Sequence, residues 1–143
     1  MILLDTHILV WVVTGSTGRL GESLVGEIDK AVARGRSAVS AATFWELEVK
    51  RRKTRHDLPL LPPIKGLRSA VLAEGLREVP VSGSLWVEAV GLVDEAFHRD
   101  PADQLIVATA IRHGYQLLTR DRRILGWAER TGRVALFAHD SVP

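Results

Sequence analysis

Cysteine is absent from the 143 residues, which removes disulfides, thiolate metal sites and cysteine nucleophiles together and fits a reducing compartment. Long hydrophobic runs are missing as well. The longest, Ile8 to Val13 and Leu105 to Ile111, fall far short of the ~18 residues that a membrane-spanning helix needs. No basic segment precedes the first apolar residues, and Asp5 interrupts them. A secretory signal is therefore not expected; the chain reads as cytoplasmic, with no membrane role. Nor does one charge dominate. Nineteen basic residues meet 17 acidic ones, a net charge of +2, so the case for a polyanionic partner rests on where the cations lie. Internal repeats, low-complexity tracts and a dividing linker are also lacking.

What is present suits a single domain over residues 1–143: 46% hydrophobic and 25% charged residues, enough to build a core without staples. Met1 to Leu4 is a short apolar run ended by Asp5 and Thr6, as in a buried strand that delivers a carboxylate at its C-terminal end. A short helix is expected over His7 to Val13, then a longer one from Glu22 to Arg34, with Gly35 as its stop. Ala38 to Ser40 reads as a strand and Ala41 to Arg52 as a helix. Arg55 to Pro63 reads as a connecting loop. The spacing then predicts a helix over Ile64 to Ala73, a strand over Leu76 to Val81, and a helix from near Ser84 that carries Leu85, Ala89, Leu92, Val93 and Ala96 and ends before His98. Another helix opens at Asp100. Gln116 to Thr119 and Val134 to Phe137 are expected strands, with a helix over Arg122 to Arg130 between them. Strands alternating with helices predict an α/β fold, a mostly parallel sheet covered on both faces. Ligands bind such sheets at the carboxyl ends of the strands, where the chain order reverses.

The stretch Asp100-Pro101-Ala102-Asp103 combines an N-cap, a proline at the first helical position and an acid at the third, the pattern of a well-built helix start. Leu105 to Ile111 is apolar nearly all round, so that helix should lie deep, with the acid at a wall rather than in open water. Asp5 and Asp121 stand at strand ends, and a parallel sheet would bring Asp5, Asp103 and Asp121 to one edge. Each also has a plain role as a helix cap. Glu46 shares a face with Ala42, Trp45 and Val49, the stripe expected to pack inward. An ion pair with Lys50 is its other reading, and Glu48 can reach Arg52 one turn on. If the four acids converge, their repulsion needs a cation. All-oxygen ligation favours Mg²⁺ or Mn²⁺, one or two ions, able to activate water against a phosphodiester.

Four blocks together resemble a PIN domain, in particular the VapC-type ribonuclease toxins of type II toxin-antitoxin pairs: Leu3-Leu4-Asp5-Thr6-His7, Ser40 with Trp45-Glu46, His98 to Asp103, and Leu117 to Asp121. They occur in family order across nearly the whole chain. The resemblance implies an α/β/α sandwich with a sheet of four or five strands. It also implies Asp5, Glu46, Asp103 and Asp121 as metal-binding catalytic acids, with Thr6, Asp100 and Thr119 supporting them from behind. The activity implied is Mg²⁺- or Mn²⁺-dependent cleavage of RNA. The partners implied are a VapB-type antitoxin and a second copy in a homodimer. One departure stands out: relatives often carry arginine directly after the second acid, where this chain has Gln104.

Lys50, Arg51, Arg52 and Lys53, with Arg55, form the one dense basic cluster, and Arg120, Arg122 and Arg123 flank Asp121. Together they suit a phosphate-contacting rim, although a cationic helix end explains the first cluster equally well. Trp11 and Trp45 are expected in the core, and Trp127 is a candidate base-stacking platform. His98, in a loop, is left outside the core site. A haloacid-dehalogenase-type phosphatase would want an aspartate where His7 stands. The rival from another class is an RNA-binding module without catalysis.

Overall fold

The computed structural model describes residues 1–53 and 61–138, apart from the Thr17 side chain. Most of the expected connecting loop, including Arg55 of the basic cluster, lies outside the described residues. Four short strands, β1 (Ile2–Leu4), β2 (Ser37–Ser40), β3 (Arg77–Val79) and β4 (Gln116–Leu118), form one all-parallel sheet in the order β3-β2-β1-β4. Ile2 stands opposite Ser37 on one side and Gln116 on the other. Because successive strand residues point to opposite faces, each strand serves two cores. Leu3, Ala38 and Leu117 join one cluster, whereas Leu4, Val39 and Leu118 join the other.

Helices α1 (Thr6–Val13), α2 (Glu22–Ala33) and α4 (Ile64–Ala73) cover the second cluster, through Ile8, Leu9, Leu24, Ile28 and Leu67. On the first lie α5 (Gly83–Gly91), α6 (Pro101–His113) and α7 (Arg122–Thr131), through Leu85, Leu105, Ile106 and Trp127. The remaining helix, α3 (Ala41–Arg51), gives Ala42 to one cluster and Phe44 and Leu47 to the other. The expected α/β/α sandwich with a parallel sheet is the fold. Every residue of α6 from Ala102 to Ala110 is buried, as its unbroken apolar run predicts. Each fully buried leucine or isoleucine there adds roughly 1.5–3 kcal/mol. Among the described residues, no helix is long and apolar enough to cross a membrane.

Two elements differ from expectation. The strand expected over Val134 to Phe137 is a single parallel bridge from Leu117 to Leu136, with Leu117 N–H donating to Ala135 O (2.8 Å) and Phe137 N–H to Leu117 O (2.9 Å). Its pairing meets one residue of β4 and goes no further. The helix after Ser84 stops being α-helical at Gly91, a poor helix former, and tightens into a 3₁₀ turn over Leu92–Glu95. Ala96 closes that turn at φ 63. A left-handed alanine costs about 1–2 kcal/mol, and the bend turns the chain from α5 into the segment 97–100 that opens α6.

Candidate active site

The order β3-β2-β1-β4 reverses between β1 and β4, where the crossover connections part. Asp5 leaves β1 at that point, 4% exposed, with its own N–H donating to Leu118 O (3.0 Å). Its carboxylate does two things at once. Oδ1 caps α1 by accepting from Thr6 N–H (2.7 Å), and Oδ2 accepts from the Thr119 hydroxyl (2.6 Å). The same hydroxyl accepts Asp121 N–H (3.0 Å), so one threonine fixes the ends of both strands. Burial pushes the Asp5 carboxyl upward against the pull of these hydrogen bonds.

Across the edge, Asp100 caps α6 through Oδ1, which accepts Asp103 N–H (2.9 Å). The carboxylate of Asp103 does not return to the cap. Instead its Oδ2 lies 2.7 Å from His98 Nε2. Asp103 is only 9% exposed, and its carboxyl is pushed up to about 8, by burial first and then by the charges of Asp100, Asp5, Asp121 and Glu46. Burial and the Arg123 charge push the His98 imidazole downward. Both shifts favour the neutral forms, which weakens the ion-pair character of this short contact.

Asp121 caps α7, its Oδ1 accepting Arg123 N–H (2.8 Å) and Ile124 N–H (3.1 Å). Glu46 approaches from α3, and its carboxyl is raised by burial, against a hydrogen bond from Thr6 and the nearby Lys50, and further by Asp100 and Asp5. The inward arc of α3 is not the one expected. Trp45 and Val49 face outward, 54% and 37% exposed, while Ala42, Thr43, Phe44 and Leu47 are buried. Glu46 still turns inward because position 46 falls between 42 and 43 on the helical wheel. The Thr6–Thr43 hydroxyl contact (3.1 Å) ties that face to α1.

The structure thus places Asp5, Glu46 and Asp121 within electrostatic reach of Asp103, with Thr6, Thr119 and Asp100 bonded to the edge they share. Among the described residues no three His, Asp or Glu side chains are drawn together as a ready coordination cluster. In kind, though, the donors fit a hard divalent ion: four carboxylates, without cysteine, whose mutual charge burial leaves poorly offset. Lys50 stands 4.0 Å from Glu46, so the ion-pair reading of that pair is realised. Arg52 is paired with Glu48 (2.7 Å) as expected. Arg51, Arg120 and Arg122 are exposed.

Residues 2–129 match the family model of the PIN domain. The chain belongs to the PIN-domain family. It is 37% identical over 123 residues to Ribonuclease VapC22 of Mycobacterium tuberculosis (strain ATCC 25618 / H37Rv), covering 86% of this chain and 88% of that protein, and it is a VapC-type member of the family. Among solved structures, VapBC2 from Rickettsia felis, bound to a promoter DNA fragment, superposes with a TM-score of 0.63 at 18% identity, covering 96% of this chain and 98% of that one. FitAcB from Neisseria gonorrhoeae gives 0.58 at 22%, covering 96% and 97%. A toxin-antitoxin complex from Klebsiella pneumoniae gives 0.55 at 22%, covering 85% and 87%. At these identities the structures speak for the fold alone. The phosphatase reading falls with the family match.

Within this PIN domain, the residue that departs from the family pattern has a different task from an arginine. Gln104 is 6% exposed and its Nε2 donates to His98 O (3.0 Å). It anchors the loop whose imidazole holds Asp103. Phe97 stacks on His98 (centroids 4.3 Å apart) and meets Trp127 edge-on (5.0 Å), and Trp127 Nε1 donates to Glu95 O (2.8 Å). Trp127, 1% exposed, is therefore a core residue bracing this loop and not a base-stacking platform; its Nε1 partner and the apolar face of α7 place it there. His98, left outside the site on sequence, owes its position to the bend at Ala96, and Arg123, expected on the phosphate rim, has its guanidinium 3.6 Å from Asp103 and 3.7 Å from Asp121. The signal that bore on both was their adjacency to the Asp100–Asp103 and Asp121 blocks.

Proposed function

We propose that this PIN domain is a Mg²⁺- or Mn²⁺-dependent endoribonuclease and the toxin of a type II toxin-antitoxin pair, acting in the cytoplasm as a homodimer restrained by a VapB-type antitoxin. One observation carries the metal-site reading: Asp103, buried at the sheet edge, is held at about 8 by burial and the charges of Asp100, Asp5, Asp121 and Glu46. A cluster in that state is costly until a cation enters it. The Mycobacterium relative is named a ribonuclease, and the Klebsiella neighbour is a toxin-antitoxin complex; both support the rest.

Asp5, Glu46, Asp103 and Asp121 would hold one or two ions. When bound, the ion supplies Lewis acidity that activates water and offsets charge on the phosphodiester. The chain's own part is positioning. Thr119 and Thr6 N–H orient both oxygens of Asp5, the Asp100 cap steadies the helix mouth beneath Asp103, and His98 and Gln104 set the loop above it. Lys50, Arg51, Arg52, Arg120 and Arg122 contact RNA phosphates as a rim, fixing register without reading sequence. The Arg52–Glu48 pair is exposed and worth at most about 1 kcal/mol, so it yields readily to a phosphate. Cleavage leaves a 5′-phosphate and a 3′-hydroxyl.

The test is RNA cleavage with Mn²⁺ and with EDTA, by the wild-type protein and by Asp5→Ala. Cleavage with Mn²⁺ alone, lost in the variant, is expected. Binding that persists in EDTA with no cleavage under Mn²⁺ would instead mean an RNA-binding module without catalysis.

A further inference from the structure

Arg123 stands at the second position of α7, with Nη2 3.6 Å from Asp103 Oδ2 and 3.7 Å from Asp121 Oδ2. Both separations exceed hydrogen-bond length, and the side chain is 61% exposed. The guanidinium is therefore held by charge alone, in a weak and readily broken class of contact. Its two acidic partners are fixed far more firmly. Asp121 is held by the N–H groups of Arg123 and Ile124, and Asp103 by its helix and by His98. A loose cation thus bridges two rigid acids from different elements, at the mouth of the site.

Resting on the metal reading above, we infer that Arg123 is the resident cation facing Asp103 and Asp121, gives way when a divalent ion binds them, and then turns to the scissile phosphodiester. The same two carboxylates cannot be fully used by both cations, since each neutralises the charge that attracts the other. A released guanidinium keeps five N–H donors and a planar fork matched to phosphate oxygens. Its exposure means an entering RNA backbone meets it without rearrangement of the core. The backbone N–H of residue 123 caps Asp121 whatever its side chain, so substitution there leaves the helix start intact.

Metal binding and cleavage then respond to substitution with opposite signs. Titration calorimetry with Mn²⁺ alone should show Arg123→Ala binding the ion about three- to tenfold more tightly than wild type, because a competing charge is gone. Cleavage of total cellular RNA at saturating Mn²⁺ should fall at least about tenfold, because a phosphate donor is gone. Arg123→Lys keeps the charge, so its Mn²⁺ affinity should stay near wild type while cleavage recovers only in part. A residue with a merely structural role would weaken both. Unchanged or weaker Mn²⁺ binding by Arg123→Ala, or undiminished cleavage, overturns the inference and leaves the metal site standing. A wild-type protein that takes up no Mn²⁺ overturns both.

Discussion

His98 Nε2 and Asp103 Oδ2 meet at 2.7 Å, in surroundings that raise the acid and lower the imidazole and so push both toward their neutral forms. The consequence is a pH dependence opposite to that of an ordinary paired aspartate. With a folded value of about 8 against 3.8 for the free side chain, Asp103 keeps in the fold a proton that the unfolded chain has lost. Its contribution to stability is complete below the unfolded value and is lost as pH climbs through about 8. Asp5 and Glu46, also raised, act in the same direction. His98, lowered, acts the other way only below its ordinary value of 6.5. Between about pH 6.5 and 8, thermal melts in EDTA should therefore show a falling midpoint. Each proton that the fold alone retains removes up to about 1.4 kcal/mol of stability per pH unit climbed. Added Mn²⁺ should flatten the fall, because the ion binds the anions. A midpoint that rises across this window in EDTA would refute the buried-acid account.

Thr119 joins Asp5 Oδ2 (2.6 Å) to Asp121 N–H (3.0 Å). Thr119→Val keeps the shape and removes both bonds. Partners that orient metal-binding side chains are commonly worth about 10–100-fold in affinity, so Mn²⁺ binding should weaken by about that factor. Thr119→Ser should restore most of it. Calorimetry on the three proteins decides the point, and equal affinity for Val and Thr would remove Thr119 from the site.

Gln104 faces inward, not toward a phosphate. Gln104→Leu, similar in size, leaves His98 O without its donor and should cost about 1–3 kcal/mol in chemical denaturation. The RNA KM should be unchanged, because the side chain does not touch substrate, while kcat falls through the loosened His98 loop. A rise in KM with kcat unchanged would show that position 104 contacts RNA directly.

Much of this was legible in the sequence because it is local. Asp5 and Asp121 end strands and cap helices within a few residues, and Asp100-Pro101-Ala102-Asp103 spells its own helix start. The inward turn of Glu46 came out right from a wrong stripe: Trp45 and Val49 are as apolar as Phe44 and Leu47, and only packing against α1 and the sheet chooses between the two arcs. Trp127 was misplaced for the same reason. The contact of His98 with Asp103 depends on Ala96 adopting a left-handed turn, which no alanine announces. Gln104 was visible as a departure, but its partner is a backbone carbonyl, and carbonyls carry no sequence signature.

Asp103→Asn separates stability from chemistry at a single atom. The amide keeps the shape of the carboxylate and remains neutral at every pH, so the cost of charging this buried position disappears along with its repulsion by Asp5, Asp121 and Glu46. Above about pH 8, where the wild-type group loses its proton, the variant should be more stable in EDTA. At pH 5 the gap should shrink to under about 2 kcal/mol, since the folded acid is neutral there and only the unfolded chain, titrating at 3.8, has begun to lose its proton. Cleavage should be lost at both, because an amide is a poor ligand for a hard divalent ion, and Mn²⁺ should no longer raise the midpoint to the wild-type extent. Denaturation curves at the two pH values, with and without Mn²⁺, test all of this on one pair of proteins. Equal stability at high pH would mean that Asp103 ionises in the fold without penalty, and the strongest physical argument for a cation at this edge would go with it.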